Sequence, residues 1–381
     1  MSISGIGANV LGYADPDVDE AVKHAIDEGA SCSLNCPEEV ALAELLCELH
    51  PWAEMVRYAR TGGEAMAIAV RIARAHTQKD CIAFCGYHGW HDWYLAANLS
   101  KQDSLRDHLI PGLSPSGVPK GLAGTAFPFR YNQLEELEAI IAAHGKELAA
   151  IVMEPIRNFK PEPGFIEGVR AGADETGAVL IMDEISAGFR MTTGGAHLVL
   201  HSVSPDMAVF SKALGNGYPI AAVIGSAKVM QSAQDTFISS TNWTERVGPV
   251  AAVATIKKHK EVDAAEHLNA LGAEVQTGWI ELFEKHGLAV HVGGIRPMSH
   301  FSFEDESASL MKAYFVQLML QEGFLASNMF YAMYAHSADH VRDYLEAADR
   351  ALEEIAKASR EETLEQRLKG KPAASGFQRI A

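Results

Sequence analysis

Ala178-Val-Leu-Ile-Met-Asp183-Glu184-Ile185-Ser186 decides how the rest of this chain is read, together with Met207-Ala-Val-Phe-Ser211-Lys212 downstream. Each begins as a short apolar run rich in Val, Ile, Leu or Met, the pattern of a strand buried on both faces. The first run ends in a carboxylate and the second in a lysine. Asp and Lys are rarely buried unless paired, and in sheets of this kind ligands bind beyond the carboxyl ends of the strands. Asp183 and Lys212 are therefore candidate site residues, with a salt bridge at a sheet edge as the alternative.

One cofactor chemistry asks for this pair. A lysine amine forms a Schiff base with a carbonyl compound, and pyridoxal 5'-phosphate (PLP) uses such a lysine together with an acid that keeps its ring nitrogen protonated. On this reading Lys212 holds the cofactor and Asp183 contacts the pyridine nitrogen.

The bulk properties narrow the class. At 381 residues the chain exceeds the usual single-core size, so more than one domain is expected. A net charge of -17 disfavours nucleic acid and anionic membrane as partners. No apolar run is long enough to span a bilayer, and Met-Ser-Ile-Ser-Gly-Ile-Gly is not a signal peptide. Cys32, Cys36, Cys47, Cys81 and Cys85 form no disulfide framework, which suits reduced thiols and a cytoplasmic enzyme.

Working outward, Asp15-Pro16-Asp17 starts a helix running to Glu28, and Pro37 opens another through Leu49. Val56–Arg60 is a strand, Thr61-Gly62-Gly63 a turn, and Glu64–Thr77 an Ala-rich helix. A glycine turn before a helix offers backbone N–H groups and a positive dipole end to an anion, here the cofactor phosphate. Cys81–Gly86 is a strand leading into Tyr87-His88-Gly89-Trp90-His91-Asp92, where Tyr87 is the candidate stacking platform. A metal at His88, His91 and Asp92 is the weaker reading, because the spacing fits no single helix face. Residues 101–124, rich in Pro and Gly, read as a lid or a surface excursion. Strands follow at Thr125–Phe129, Ala149–Pro155 and, after the two opening runs, Ile220–Gly225. Only seven residues separate Lys212 from Ile220, too few for a parallel crossover, so that last strand is predicted to run antiparallel. The prediction is an α/β protein with a mostly parallel seven-stranded sheet and one reversed strand. A helical segment spans 1–50, the large domain 51–250, a smaller C-terminal α+β domain 251–365, and a disordered tail 366–381.

Several of these stretches together resemble the class III aminotransferases of PLP fold type I, most closely the glutamate-1-semialdehyde aminomutase-like branch. They are Thr61-Gly-Gly-Glu-Ala65, Tyr87-His88-Gly89, Glu154-Pro155-Ile156, Met182–Ile185 through Gly188-Phe189-Arg190, and Ser211-Lys212-Ala-Leu-Gly-Asn-Gly-Tyr-Pro219, in the family's order. The resemblance implies that Lys212 holds PLP and shuttles a proton, and that Asp183 contacts the ring nitrogen. It implies that Ile185 and Tyr87 flank the ring, that Gly62 and Gly63 bind phosphate, and that His88 and Glu154 belong to the cofactor site. It further implies a homodimer in which a threonine reaches the partner's phosphate site; Thr241 is the candidate, with Thr244 second.

The chain departs from the family pattern in four ways. Gly63 stands where the family usually has a hydroxyl residue. The segment before Gly5-Ile-Gly7 is short. Trp243-Thr-Glu-Arg-Val-Gly-Pro249 replaces a commoner Gly-Asn-Pro ending. No arginine for a substrate carboxylate is singled out among Arg157, Arg190 and Arg296. The implied reaction is ping-pong transfer of an amino group from an amino acid to a keto or aldehyde acceptor on a sugar or small metabolite. An intramolecular aminomutase is the alternative, and a non-catalytic binding protein of the same fold is the third reading.

Overall fold

The computed structural model describes residues 4–100, 104–105, 113–156, 158, 160–200 and 203–370. Residues 101–103 and 106–112 of the segment read as a lid or surface excursion, Arg157, and the end of the expected tail lie outside them. The central sheet has seven strands: β1 (Met55–Ala59), β2 (Cys81–Cys85), β3 (Ala126–Pro128), β4 (Leu148–Met153), β5 (Val179–Asp183), β6 (Met207–Phe210) and β7 (Ala221–Gly225), in the order β1-β7-β6-β5-β4-β2-β3. β7 pairs antiparallel with both neighbours, Ala222 lying opposite Tyr58 and Phe210, while the other pairs are parallel. The short link after Lys212 thus forces the reversal expected of it.

Alternating residues of each strand feed two separate cores. Leu180 and Met182 of β5, with Ala208 and Phe210 of β6, join one core with helices α1 (Pro16–Glu28), α2 (Pro37–Leu49), α5 (Phe165–Thr176) and α6 (Val247–Glu261). Val179 and Ile181, with Met207 and Val209, face the other core under α3 (Gly62–Thr77). α4 (Leu134–His144) lies between β3 and β4 in the chain. A strand buried on both faces needs apolar residues at every position, which is why these runs do not alternate.

Helix starts follow capping chemistry. The Asp15 side chain accepts from Asp17 N and Val18 N ahead of Pro16. α3 begins two residues earlier than its helix-former pattern suggests, because Thr61 caps it by accepting from Glu64 N at 3.4 Å. Its buried face includes Met66, Val70 and Ile72, each contributing about 1.5–3 kcal/mol by burial.

Beyond α6, helices α7 (Ala264–His286), α8 (Ala308–Gln321) and α9 (Ala338–Arg360) pack with a three-stranded antiparallel sheet. Its strands are β8 (Val290–Gly293), β9 (Met298–Phe303) and β10 (Met329–Tyr331), in the order β10-β9-β8. With four residues in β8 and three in β10, neither is long enough to show a period of its own. Residues expected to start a disordered tail are packed instead. Leu364–Arg367 is a helical turn, and Gln317 bonds both Arg367 O and Lys369 N.

Candidate active site

Four adjacent strands deliver five of the predicted residues to one edge of the sheet. In the order β6-β5-β4-β2 their carboxyl ends carry Lys212, Asp183, Glu154 and Tyr87-His88. Asp183 continues the face that carries Val179 and Ile181, as do Ile185 and Tyr87 in packing on that core. α3 covers the same face, so its N-terminus and Asp183 share one side of the sheet.

The Asp183 carboxylate is buried. One oxygen accepts from His88 Nδ1 at 2.7 Å and the other from Ile185 N at 3.0 Å. His88 Nε2 meets the Cys85 carbonyl at 3.1 Å. Both His88 partners are acceptors, so satisfying them takes a proton on each ring nitrogen. Each Asp183 oxygen keeps lone-pair capacity for one more donor.

Lys212 Nζ donates to Ser186 Oγ at 2.7 Å. The backbone at Lys212 has φ 47°, in the left-handed region that lysine rarely adopts, as strained positions at functional sites often do. Ser211 Oγ bonds Ile220 O at 2.9 Å and pins the link behind it. Asn216 holds the N-terminal segment against the same link through Leu11 N and Gly12 O. Ser186 was in plain view in the quoted stretch, but only the fold shows its contact with Lys212.

Glu154 accepts from Tyr87 N at 3.3 Å, and a Cβ at Gly86 would lie 2.6 Å from its Oε2. It thereby sets the turn that presents Tyr87. Tyr87 packs edge-on against Tyr94, centroids 5.8 Å apart. Gly62 and Gly63 form the first turn of α3. A Cβ at Gly62 would lie 2.8 Å from Ile185 Cδ1, and one at Gly63 would lie 2.8 Å from the His91 ring. The helix start is thus closely walled, with Ile185 on one side and His91 on the other.

The histidines of the 87–92 loop diverge. His88 turns to Asp183 and His91 to Gly63, and among the described residues no cluster suited to a metal forms. Thr241 is exposed in a turn, while Thr244 Oγ1 donates to Cys32 O at 2.5 Å. Arg60, next to Thr61, ties that turn to the end of β1 by donating to Asn242 O and, at 3.1 Å, to Glu245 O. Of the arginines considered for substrate, Arg296 is exposed. Arg190 is fully buried; its Nη2 donates to Gly7 O, whereas Nε and Nη1 have no partner. Burial without a carboxylate pushes its guanidinium down to about 10.

A second buried pair lies back to back with the first and was not anticipated. Glu184 accepts from His197 Nδ1 at 2.6 Å, His197 N at 2.9 Å and Ala196 N at 2.9 Å. Trp52 Nε1 donates to His197 Nε2 at 3.0 Å, and His50 Nε2 accepts from Gly195 N at 2.9 Å.

These residues fit PLP. The site offers a lysine amine, a buried carboxylate with spare acceptor capacity, a helix start whose glycines leave space for a phosphate, and a buried His91 Nδ1 with no partner. The aminotransferase class III family matches residues 2–358. The 3-aminobutyryl-CoA aminotransferase of Cloacimonas acidaminovorans is 34% identical over 369 residues, covering 92% of this chain and 84% of that protein. The glutamate-1-semialdehyde 2,1-aminomutase of Desulforamulus reducens is 31% identical over 374 residues, covering 92% of this chain and 85% of that protein. The FumI protein of Sphingopyxis sp. MTA144, solved in its PLP internal aldimine form, superposes with a TM-score of 0.83 at 27% identity, covering 94% of this chain and 84% of that one. The chain belongs to the class III aminotransferases, and its cofactor is pyridoxal phosphate.

Proposed function

We propose that this aminotransferase carries an amino group from an amino-acid donor to a keto or aldehyde acceptor, on a sugar or another small metabolite, by a ping-pong route. The observation that carries this reading is the placement of Lys212 on Ser186 beside the Asp183–His88 pair, at the ends of neighbouring strands. When bound, PLP supplies an aldehyde for the amine and a ring that accepts electrons from the bond being broken.

The chain's own residues do the rest. Lys212 holds the cofactor through its amine and, once displaced by the donor, moves a proton at the substrate carbon. Ser186 orients the amine for both tasks. Asp183 keeps the proton on the ring nitrogen, and His88 behind it fixes the carboxylate. Ile185 and Tyr87 flank the ring, with Glu154 holding the Tyr87 turn. The N–H groups of Gly62 and Gly63, with the α3 dipole, receive the phosphate. In a homodimer the exposed Thr241 turn is the one available to the partner's phosphate site, since Thr244 is already engaged within its own chain.

Initial rates with varied donor and acceptor test the scheme: parallel double-reciprocal lines are expected, and intersecting lines reject it. The donor is the amino acid that by itself removes the cofactor's visible absorption band. The aminomutase reading has its own support in the relative from Desulforamulus reducens. Incubation with glutamate 1-semialdehyde and no external donor separates the two, because only an aminomutase yields aminolevulinate. Borohydride reduction followed by peptide mapping tests a purely binding role: no covalent adduct on Lys212 would favour it.

A further inference from the structure

Gly63 stands where the resemblance to the class III aminotransferases implies a hydroxyl residue, and the structure shows what lies beside it. A Cβ at Gly63 would lie 2.8 Å from His91 Cε1 and 2.9 Å from His91 Nδ1, and the Gly63 Cα is already within 3.3 Å of where a Gly89 Cβ would be. Contacts under 3.0 Å to a ring force something to move, so any side chain at Gly63 competes with the imidazole for one space. The ring lies against Trp90, centroids 4.5 Å apart and planes tilted by 30°. Although His91 sits at the N-cap of the turn Asp92–Leu95, its side chain makes no capping bond. Its Nδ1 is buried and has no hydrogen-bond partner. A buried polar nitrogen left unmatched is costly unless a ligand completes it, and this one lies against the first turn of α3.

We propose that His91 is a cofactor-binding residue: its Nδ1–H donates to a phosphate oxygen of PLP at the start of α3, replacing the hydroxyl that Gly63 lacks. Position 63 is glycine because the imidazole needs the room. The inference rests on reading the α3 start as the phosphate site, and it adds a side-chain donor to the backbone donors assigned there. It also makes residues 63 and 91 an exchangeable pair, one small and one donating.

The test is the dissociation constant of PLP, and of pyridoxal, which lacks the phosphate. Both are measured by fluorescence on the full chain freed of cofactor, for the wild type, His91→Ala, Gly63→Ser and the double variant. The wild type should prefer PLP strongly; equal affinity for the two would overturn the phosphate-site reading itself. His91→Ala should weaken PLP by about ten- to a hundredfold, the range of one hydrogen bond to a charged group, and leave pyridoxal unchanged. Gly63→Ser alone should also weaken PLP, by displacing the ring. The double variant should recover most of the loss, because the serine then has both the space and the phosphate. If His91→Ala leaves the preference for PLP intact while the wild type shows it, His91 is not a phosphate ligand. If the two substitutions simply add, the exchange argument is wrong. The double variant also guards against misfolding, since a fold damaged by either change would not be rescued by the other.

Discussion

Asp183 and Glu184 are neighbours in the chain, each buried and each bonded to a buried histidine, yet the two pairs are built to opposite ends. Glu184 lies on the side of β5 opposite Asp183 and is more fully bonded: three donors reach it, two of them on Oε1, and its histidine also accepts from Trp52. His197 donates through Nδ1 and accepts through Nε2, so one neutral tautomer satisfies both of these bonds. Among the described residues Asp183 receives two donors, and its histidine faces two acceptors. The first arrangement is closed and locks the loop 194–197 onto the core. The second has acceptor capacity to spare and a proton to share, which is what a ring nitrogen of the cofactor needs. The contrast agrees with the proposed roles, in which the carboxylate left incompletely bonded, Asp183, is the one assigned to the cofactor.

The largest expected effect tests that claim directly. Asp183→Asn should lower amine transfer by about a thousandfold, in the range seen when a group aimed at developing charge is removed, with the urea midpoint moving far less than in Glu184 variants. Glu184→Gln should do the reverse. An amide cannot accept from all three donors, so stability should drop by about 3 kcal/mol, while the folded fraction keeps activity within about tenfold. Urea unfolding and steady-state rates on the two proteins settle it; matching losses in both assays would break the distinction between the pairs.

A pH dependence follows from the Glu184 side. Burial pushes His50 down to about 4 from an ordinary value of 6.5. Between these values the unfolded chain binds more protons than the native one, so stability rises with pH across the window. The contribution of His50 is complete above pH 6.5 and drains as the pH falls toward 4, by about 3 kcal/mol. His259 and His336, also near 4, act in the same direction. Urea midpoints taken from pH 7 to 4.5 should fall, and less steeply for His50→Gln. The smallest effect is Trp52→Phe, which strips His197 Nε2 of its donor and should cost about 1 kcal/mol without altering the pH profile of activity. A shift in that profile would mean the two pairs communicate.

Much of this was legible in one dimension because it is local. A buried parallel strand demands a run of Val, Ile, Leu or Met, so β5 and β6 announced themselves, and the charges that interrupt those runs could only lie at strand ends. Asp15-Pro16 and Pro37 marked helix starts through capping and the fixed φ of proline. The seven-residue link after Lys212 dictated a reversed strand by length alone. Stretches as short as Val290–Gly293 and Met329–Tyr331 carry no such signature, and they become strands because β9 lies between them.

By itself, then, the order of residues determined the sheet, its one reversed member, and the lysine and aspartate it would bring together, since each depends on spacing and side-chain type within a short window. Tertiary structure alone decided the partners. That Ser186 meets Lys212, that Glu184 turns away to His197, that His88 turns to Asp183 and that His91 occupies the space Gly63 leaves open all depend on contacts between segments far apart in sequence or on the direction a loop takes. Such choices are fixed by the packing of whole elements, which no local pattern encodes.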